Sequence, residues 1–221
     1  MNCCNPIQND TGRLFSWFAV PHRLRHRLFG FEKTQRQLIE GIRQAGFEGA
    51  ELLDIGCGPG YLHQSLLREG AASALGVDLS TGMLTEARKA AKTAGLEGRT
   101  DYRLGDFVQL ADEIPTVDIT ILDKVVCCYP DWEALLNSSL EKTRRVYALT
   151  YPRDRIMTRT GGRILHWGMQ RINCCYQPYI HDPEKIQQRI LEHGFQQNYE
   201  TLTNSWYTQV YIRTTADNNL S

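Results

Sequence analysis

The chain has 221 residues, 42% of them apolar and 23% charged, which is the composition of an ordinary globular protein with room for one α/β core. Lys plus Arg and Asp plus Glu number 25 each, and a zero net charge argues against nucleic acid as the main partner, because phosphate binding shows as a basic excess. No apolar run approaches the roughly 20 residues of a bilayer span. Met1 to Pro6 lacks the basic and apolar regions of a signal peptide, so a cytoplasmic protein is expected. The segment from Phe15 to Phe29 is aromatic and basic, with Phe15, Trp17, Phe18, His22, Arg23, Arg25, His26 and Arg27. As an amphipathic helix it packs its aromatics on a core, lies over a site as a lid, or makes peripheral contact with a membrane surface. Leu38, Ile39 and Ile42 have helical spacing within Phe31 to Ala45, and Gly46 is a stop.

From Ala50 the pattern alternates. Strands are predicted over Ala50–Ile55, Ala74–Asp78, Asp101–Leu104, Val117–Leu122 and Val146–Thr150. Helices fall between them over Tyr61–Arg68, Thr81–Thr93, with Ser80 as cap, and Asp131–Lys142. Alternation of this kind implies parallel strands joined by right-handed crossovers. Arg155 to Cys175 reads as helical and linker-like, and Pro183 to His193 as a helix closed by Gly194. Phe195–Thr203 and Trp206–Arg213 read as two strands joined by Asn204-Ser205, an antiparallel hairpin. The fold class is α/β: a Rossmann-like, doubly wound, seven-stranded sheet, mostly parallel with a C-terminal antiparallel hairpin.

The chemistry centres on Glu51-Leu52-Leu53-Asp54-Ile55-Gly56-Cys57-Gly58-Pro59-Gly60. A buried strand ends in an acid, then glycines alternate, then a helix begins. Glycines let the backbone turn and approach a ligand, at the strand end where open α/β sheets bind ligands. A dinucleotide loop would need a third glycine at position 61 or 63, but these are Tyr61 and His63. Asp54 would repel a diphosphate and suits a cationic ligand without phosphate.

These residues resemble the first motif of the class I S-adenosylmethionine-dependent methyltransferases, matched by Asp54, Gly56, Gly58 and Gly60 with Cys57 between them. The resemblance implies S-adenosyl-L-methionine as cofactor. It implies further that Asp78, followed by Leu79, accepts the ribose hydroxyls, that Met83 packs on adenine, and that Asp106 accepts from the adenine amino group with Phe107 beside the ring. Within the class, Gly30 to Leu84 and Asp123 to Asp131 are loosely similar to the magnesium-protoporphyrin O-methyltransferase group. The organisation implied is an N-terminal helical segment or lid over 1–46, a cofactor-binding domain over 47–214 and a disordered tail over 215–221.

The acceptor side is read from Asp123 to Asp131, at the end of the fourth strand. Asp123 is a candidate for the sulfonium side of the cofactor. Cys128 and Tyr129 are candidates for the acceptor pocket, Tyr129 being alternatively an aromatic that holds a turn. The Asn/Asp-Pro-Pro-Tyr motif of nitrogen-directed relatives is absent here. Arg153 either grips an acidic substrate group or pairs with Asp154. His166, with Trp167, Tyr176, Tyr179 and His181 nearby, is the candidate general base. No divalent-metal spacing is seen, so no metal is expected. The function expected is methyl transfer by in-line displacement to a small-molecule O, N or S acceptor, with no nucleic-acid partner. The alternatives are a thiol-rich methyltransferase for a soft element such as arsenic, using the adjacent pairs Cys3-Cys4, Cys127-Cys128 and Cys174-Cys175, and a non-catalytic cofactor-binding sensor or scaffold.

Overall fold

The structure, a computed structural model, describes residues 12–171 and 178–214. Cys3, Cys4, Cys174, Cys175, Tyr176 and the tail expected over 215–221 lie outside the described residues.

Two helices lead, α1 (Gly12–Phe29) and α2 (Lys33–Ala45). Then come β1 (Glu51–Ile55), α3 (Tyr61–Arg68), β2 (Ser73–Asp78), α4 (Thr81–Thr93), β3 (Thr100–Leu104), α5 (Phe107–Leu110), β4 (Val117–Asp123), α6 (Trp132–Glu141) and β5 (Thr143–Pro152). The chain continues through α7 (Ile156–Arg171), α8 (Pro183–Glu192), β6 (Phe195–Leu202) and β7 (Trp206–Arg213). The strands form one seven-stranded sheet in the order β3-β2-β1-β4-β5-β7-β6. β1 to β5 pair in parallel, and β7 runs antiparallel to both β5 and β6. The mostly parallel sheet with its terminal hairpin is the expected fold.

The sheet is covered on both faces, which is why its central strands are apolar at almost every position. Successive side chains alternate between two cores. Leu52, Ile119, Ile121, Val146, Ala148 and Val210 face α2, α3 and α4. Leu53, Ile55, Leu122, Tyr147, Leu149 and Tyr211 face α6 and α8. Leu38 and Ile42 of α2 are fully buried in the first core, each stabilising by about 1.5–3 kcal/mol, so α2 is packed into the sheet.

α1 begins at Gly12 and lies across α4. Ser16 Oγ is 2.9 Å from Ser80 Oγ and accepts from the Gly82 amide at 3.2 Å. Arg23 pairs with Glu86 at 2.9 Å. A Cβ at Gly82 would stand 2.9 Å from the Ser16 Cα, so the crossing needs a residue without one. Of the segment read as helical and linker-like, Ile156–Arg171 is the helix α7.

Candidate active site

The glycine turn is tied to its neighbours by the backbone. Gly56 N and Cys57 N donate to Val77 O at 2.7 and 3.1 Å, and Gly60 N donates to Cys57 O at 2.9 Å. Gly58 has a φ of +54° and nothing within 4 Å of where a Cβ would stand. The backbone there is bare and faces open space, the condition for close approach of a ligand. Gly60 caps α3 in the left-handed region.

Asp78 closes β2. Its Oδ2 accepts from Gly58 N at 2.8 Å and its Oδ1 from Ser80 N at 2.8 Å. Burial pushes its carboxyl up to about 6, against the amide hydrogen bonds that favour the ionised form. Asp54 is buried, with Oδ2 2.7 Å from His63 Nδ1. His63 Nε2 lies 3.1 Å from Tyr102 Oη, which also accepts from Gln64 Nε2 at 2.9 Å. Asp106 caps α5 by accepting from Val108 N at 3.0 Å, and the Tyr129 hydroxyl lies 2.9 Å from each of its carboxylate oxygens. Tyr129 therefore stands at the Asp106 end of the site, its phenol held well above its ordinary range, first by burial and then by that carboxylate.

Asp123 ends β4. Its Oδ2 accepts from Gln35 Nε2 at 3.0 Å, while its Oδ1 is buried with no hydrogen-bond partner among the described residues. Burial raises its pKa, opposed by the Lys124 charge and the Gln35 hydrogen bond. Lys124 follows at φ 61°, the one non-glycine residue at positive φ among those described, and backbone strain of this kind costs on the order of 1 kcal/mol or more. Its ammonium pairs with Glu32, which also meets Arg25 at 2.7 Å. Burial by itself would raise the Glu32 carboxyl, but Lys124 and Arg25 hold it below its ordinary value.

One cleft of 260 Å³ collects these groups. Asp54, Gly56, Cys57, Gly58, Asp78, Leu79, Met83, Asp106, Phe107, Asp123 and Tyr129 all line it. Gly60 is not in the wall but shapes it from the start of α3. His166 is not in the wall either. It sits on α7, with a ring nitrogen 2.9 Å from Gln170 Nε2 one turn along the same helix. His181 Nε2 lies 3.1 Å from Val126 O and 3.0 Å from Tyr129 O, which makes it a clamp on the loop after β4. Arg153 donates to Thr203 O at 3.0 Å and lies over the Tyr207 ring.

The sequence reading did not single out His22, Tyr61, Gln35 and Lys124, which line the same cleft. In the sequence His22 is one of a run of basic and aromatic residues. Its Nδ1 is buried with no partner among the described residues, and burial lowers its pKa. Cys128 lines the cleft with its sulfur 3.9 Å from that of Cys127. The Cys127 thiol is pushed up by its contact with Cys128 and by burial, and the Cys57 thiol by burial. Among the described residues no three His, Cys, Asp or Glu side chains are grouped to hold a metal ion.

Acids at the strand ends, a bare glycine turn and a carboxylate oxygen without a partner among the described residues thus share one cleft at the carboxyl edge of an α/β sheet. Residues 52–146 match the family model described as a methyltransferase domain. The ubiquinone biosynthesis O-methyltransferase of Azorhizobium caulinodans is 36% identical over 100 residues, covering 45% of this chain and 35% of that protein. The chain thus spans about a third of the length of that relative. Among solved structures, magnesium protoporphyrin IX methyltransferase from Synechocystis PCC 6803 with bound S-adenosylmethionine has a TM-score of 0.69 at 18% identity, covering 97% of this chain and 100% of that one. The cyclase SpnF has a TM-score of 0.69 at 13% identity, covering 95% and 96%. At these identities the structural likeness speaks for the fold. Residues 52–146 thus carry a methyltransferase domain, on a fold shared with S-adenosylmethionine-binding structures.

Proposed function

We propose that this protein is an S-adenosylmethionine-dependent O-methyltransferase acting on a small molecule. One observation carries the reading. The glycine turn and the acids Asp54, Asp78, Asp106 and Asp123 share a single cleft, and one Asp123 oxygen there is buried without a donor. A buried carboxylate oxygen costs free energy unless a donor or cation meets it. The choice of oxygen as acceptor atom is supported by the name of the Azorhizobium relative.

In this reading S-adenosylmethionine, when bound, supplies a methyl group made electrophilic by its sulfonium. Asp78 holds the ribose hydroxyls with the lone pairs that Gly58 N and Ser80 N leave free. Met83 and Phe107 pack on the adenine, with Leu79 beside them, and Asp106 accepts from its amino group. Asp54 and Asp123 stabilise the cationic end, and the turn through Gly56, Cys57, Gly58 and Gly60 lets the ligand reach the backbone. Positioning of the acceptor oxygen near 3–3.5 Å provides most of the acceleration.

Removal of the acceptor proton falls to His22 rather than His166, since His22 is in the cleft wall with a free buried ring nitrogen and burial keeps it neutral. The rest of the reading is a cytoplasmic protein with no nucleic-acid partner, peripherally in touch with a membrane through residues 15–29.

Calorimetry and labelled methyl transfer test it together. The full chain should bind S-adenosylhomocysteine, lose that affinity on Asp78→Ala, and transfer labelled methyl to hydroxyl groups of small molecules in an extract. Binding of NADH in place of S-adenosylhomocysteine would overturn the reading.

A further inference from the structure

α1 has two unlike faces. Gly12, Ser16 and Ala19 pack toward α4, while Phe15 and His22 enter the cleft wall. On the opposite face Trp17, Val20, Leu24 and Leu28 recur at intervals of three and four residues and are exposed to 86%, 54%, 56% and 65%. A contiguous apolar stripe of this size on a surface marks an interaction site. The helix also carries four arginines, Arg13, Arg23, Arg25 and Arg27, and neither Asp nor Glu.

α7 repeats the combination. Ile164 and Trp167 are exposed to 65% and 58%, and its sequence has three arginines and no acid. The whole chain has zero net charge, and with Arg23 and Arg25 paired to Glu86 and Glu32 it is Arg13 and Arg27 of α1, with the arginines of α7, that carry the surplus positive charge. Both helices lie at the carboxyl-terminal edge of the sheet, where the cleft opens. Gly12 packs on the carbonyl of Leu79 just beyond β2, and α7 leaves directly after β5.

We infer that α1 and α7 dock the protein on an anionic lipid surface, with the cleft mouth turned toward the bilayer. Basic helices with an apolar stripe lie in the plane of the interface, the stripe at the headgroup boundary and the arginines on lipid phosphates. No helix among the described residues is long and apolar enough to cross a membrane, so the contact is with the surface. A second copy of the chain is a poorer occupant, because it would set arginines against arginines. The inference extends the membrane contact proposed above, and rests on the methyltransferase reading only for its consequence that an apolar acceptor enters from the lipid side.

Vesicle flotation of the full chain tests it without turnover. The protein should float with vesicles of phosphatidylglycerol and phosphatidylcholine, and be released by high salt. It should stay behind with phosphatidylcholine alone. The double variant Trp17→Ser, Leu28→Ser should lose roughly tenfold or more in partitioning, because each large apolar side chain contributes over a kcal/mol when buried. Its affinity for S-adenosylhomocysteine should be unchanged, which shows that it is folded. Equal flotation with both lipids, no flotation, or a dimer in sedimentation velocity that the double variant dissolves would overturn the inference. Loss of methyl transfer with flotation intact would count against the enzyme reading instead.

Discussion

His63 Nδ1 lies 2.7 Å from Asp54 Oδ2, with both side chains buried against the glycine turn. The pair fixes the first acid of the cleft from behind, and Tyr102 fixes the histidine in turn. Truncation of His63 to alanine leaves a buried carboxylate without its partner, which costs about 3 kcal/mol or more. Thermal unfolding of His63→Ala should show a large fall in Tm. An unchanged Tm would mean that water replaces the imidazole.

Asp78 gives a pH dependence whose sign can be worked out. With its carboxyl pushed up to about 6, the folded protein without ligand binds this proton more tightly than the unfolded chain. Stability from this group is therefore gained as pH falls through 6 and lost as pH rises. Ribose hydroxyls need the ionised acceptor, so affinity runs the other way. The Kd for S-adenosylhomocysteine should rise about tenfold from pH 7 to pH 5 by simple protonation competition. Asp78→Asn should bind weakly and without that slope. A flat profile for the unmodified protein would remove Asp78 from the ribose.

Asp123 distinguishes charge at the sulfur. The sulfonium of S-adenosylmethionine is cationic, and the thioether of S-adenosylhomocysteine is neutral. Asp123→Asn should weaken S-adenosylmethionine by about tenfold, the size of one partly screened charge contact, and S-adenosylhomocysteine by less. Gln35→Ala, which removes the 3.0 Å hydrogen bond to Asp123, should shift both in parallel. Calorimetry with the two ligands reads the difference.

His22 should act on kcat and not on cofactor binding. Loss of a general base costs roughly a hundredfold or more in rate, so His22→Ala should lose that much with its Kd for S-adenosylhomocysteine unchanged. Its pKa is lowered by burial, so kcat in the unmodified enzyme should hold below pH 6.5 before it falls. His166→Ala should leave kcat near its starting value. The reverse ranking of the two variants would restore His166 as the base.

The α1–α4 crossing can be loosened at one atom. A methyl at Gly82 would stand 2.9 Å from the Ser16 Cα. Overpacking against backbone costs about 1–3 kcal/mol, more than the roughly 1 kcal/mol that alanine adds to a helix. Gly82→Ala should therefore speed tryptic cleavage at Arg23, Arg25 and Arg27. Cleavage at the same rate would show that α1 moves aside freely.

Most of the sheet was legible because both its faces are covered. Strands such as Val117–Asp123 bury Val117, Ile119, Ile121 and Leu122 on both faces, and the acids Asp54, Asp78, Asp106 and Asp123 stand at or beside strand ends. Those are local facts of sequence, set by period and by glycine. The roles of Tyr129 and the histidines were not local. Tyr129 reaches Asp106 over 23 positions, and Gln35 reaches Asp123 over 88.

The succession of strands and helices, the glycine turn and the acids at its side follow from local sequence, because backbone freedom and hydrophobic period are written residue by residue. Which side chains share the cleft follows instead from packing between distant parts of the chain. That packing brought His22 in through the Ser16–Ser80 contact and left His166 on α7. The orientation of a helix depends on packing against residues far along the chain, and no periodicity within the helix encodes that.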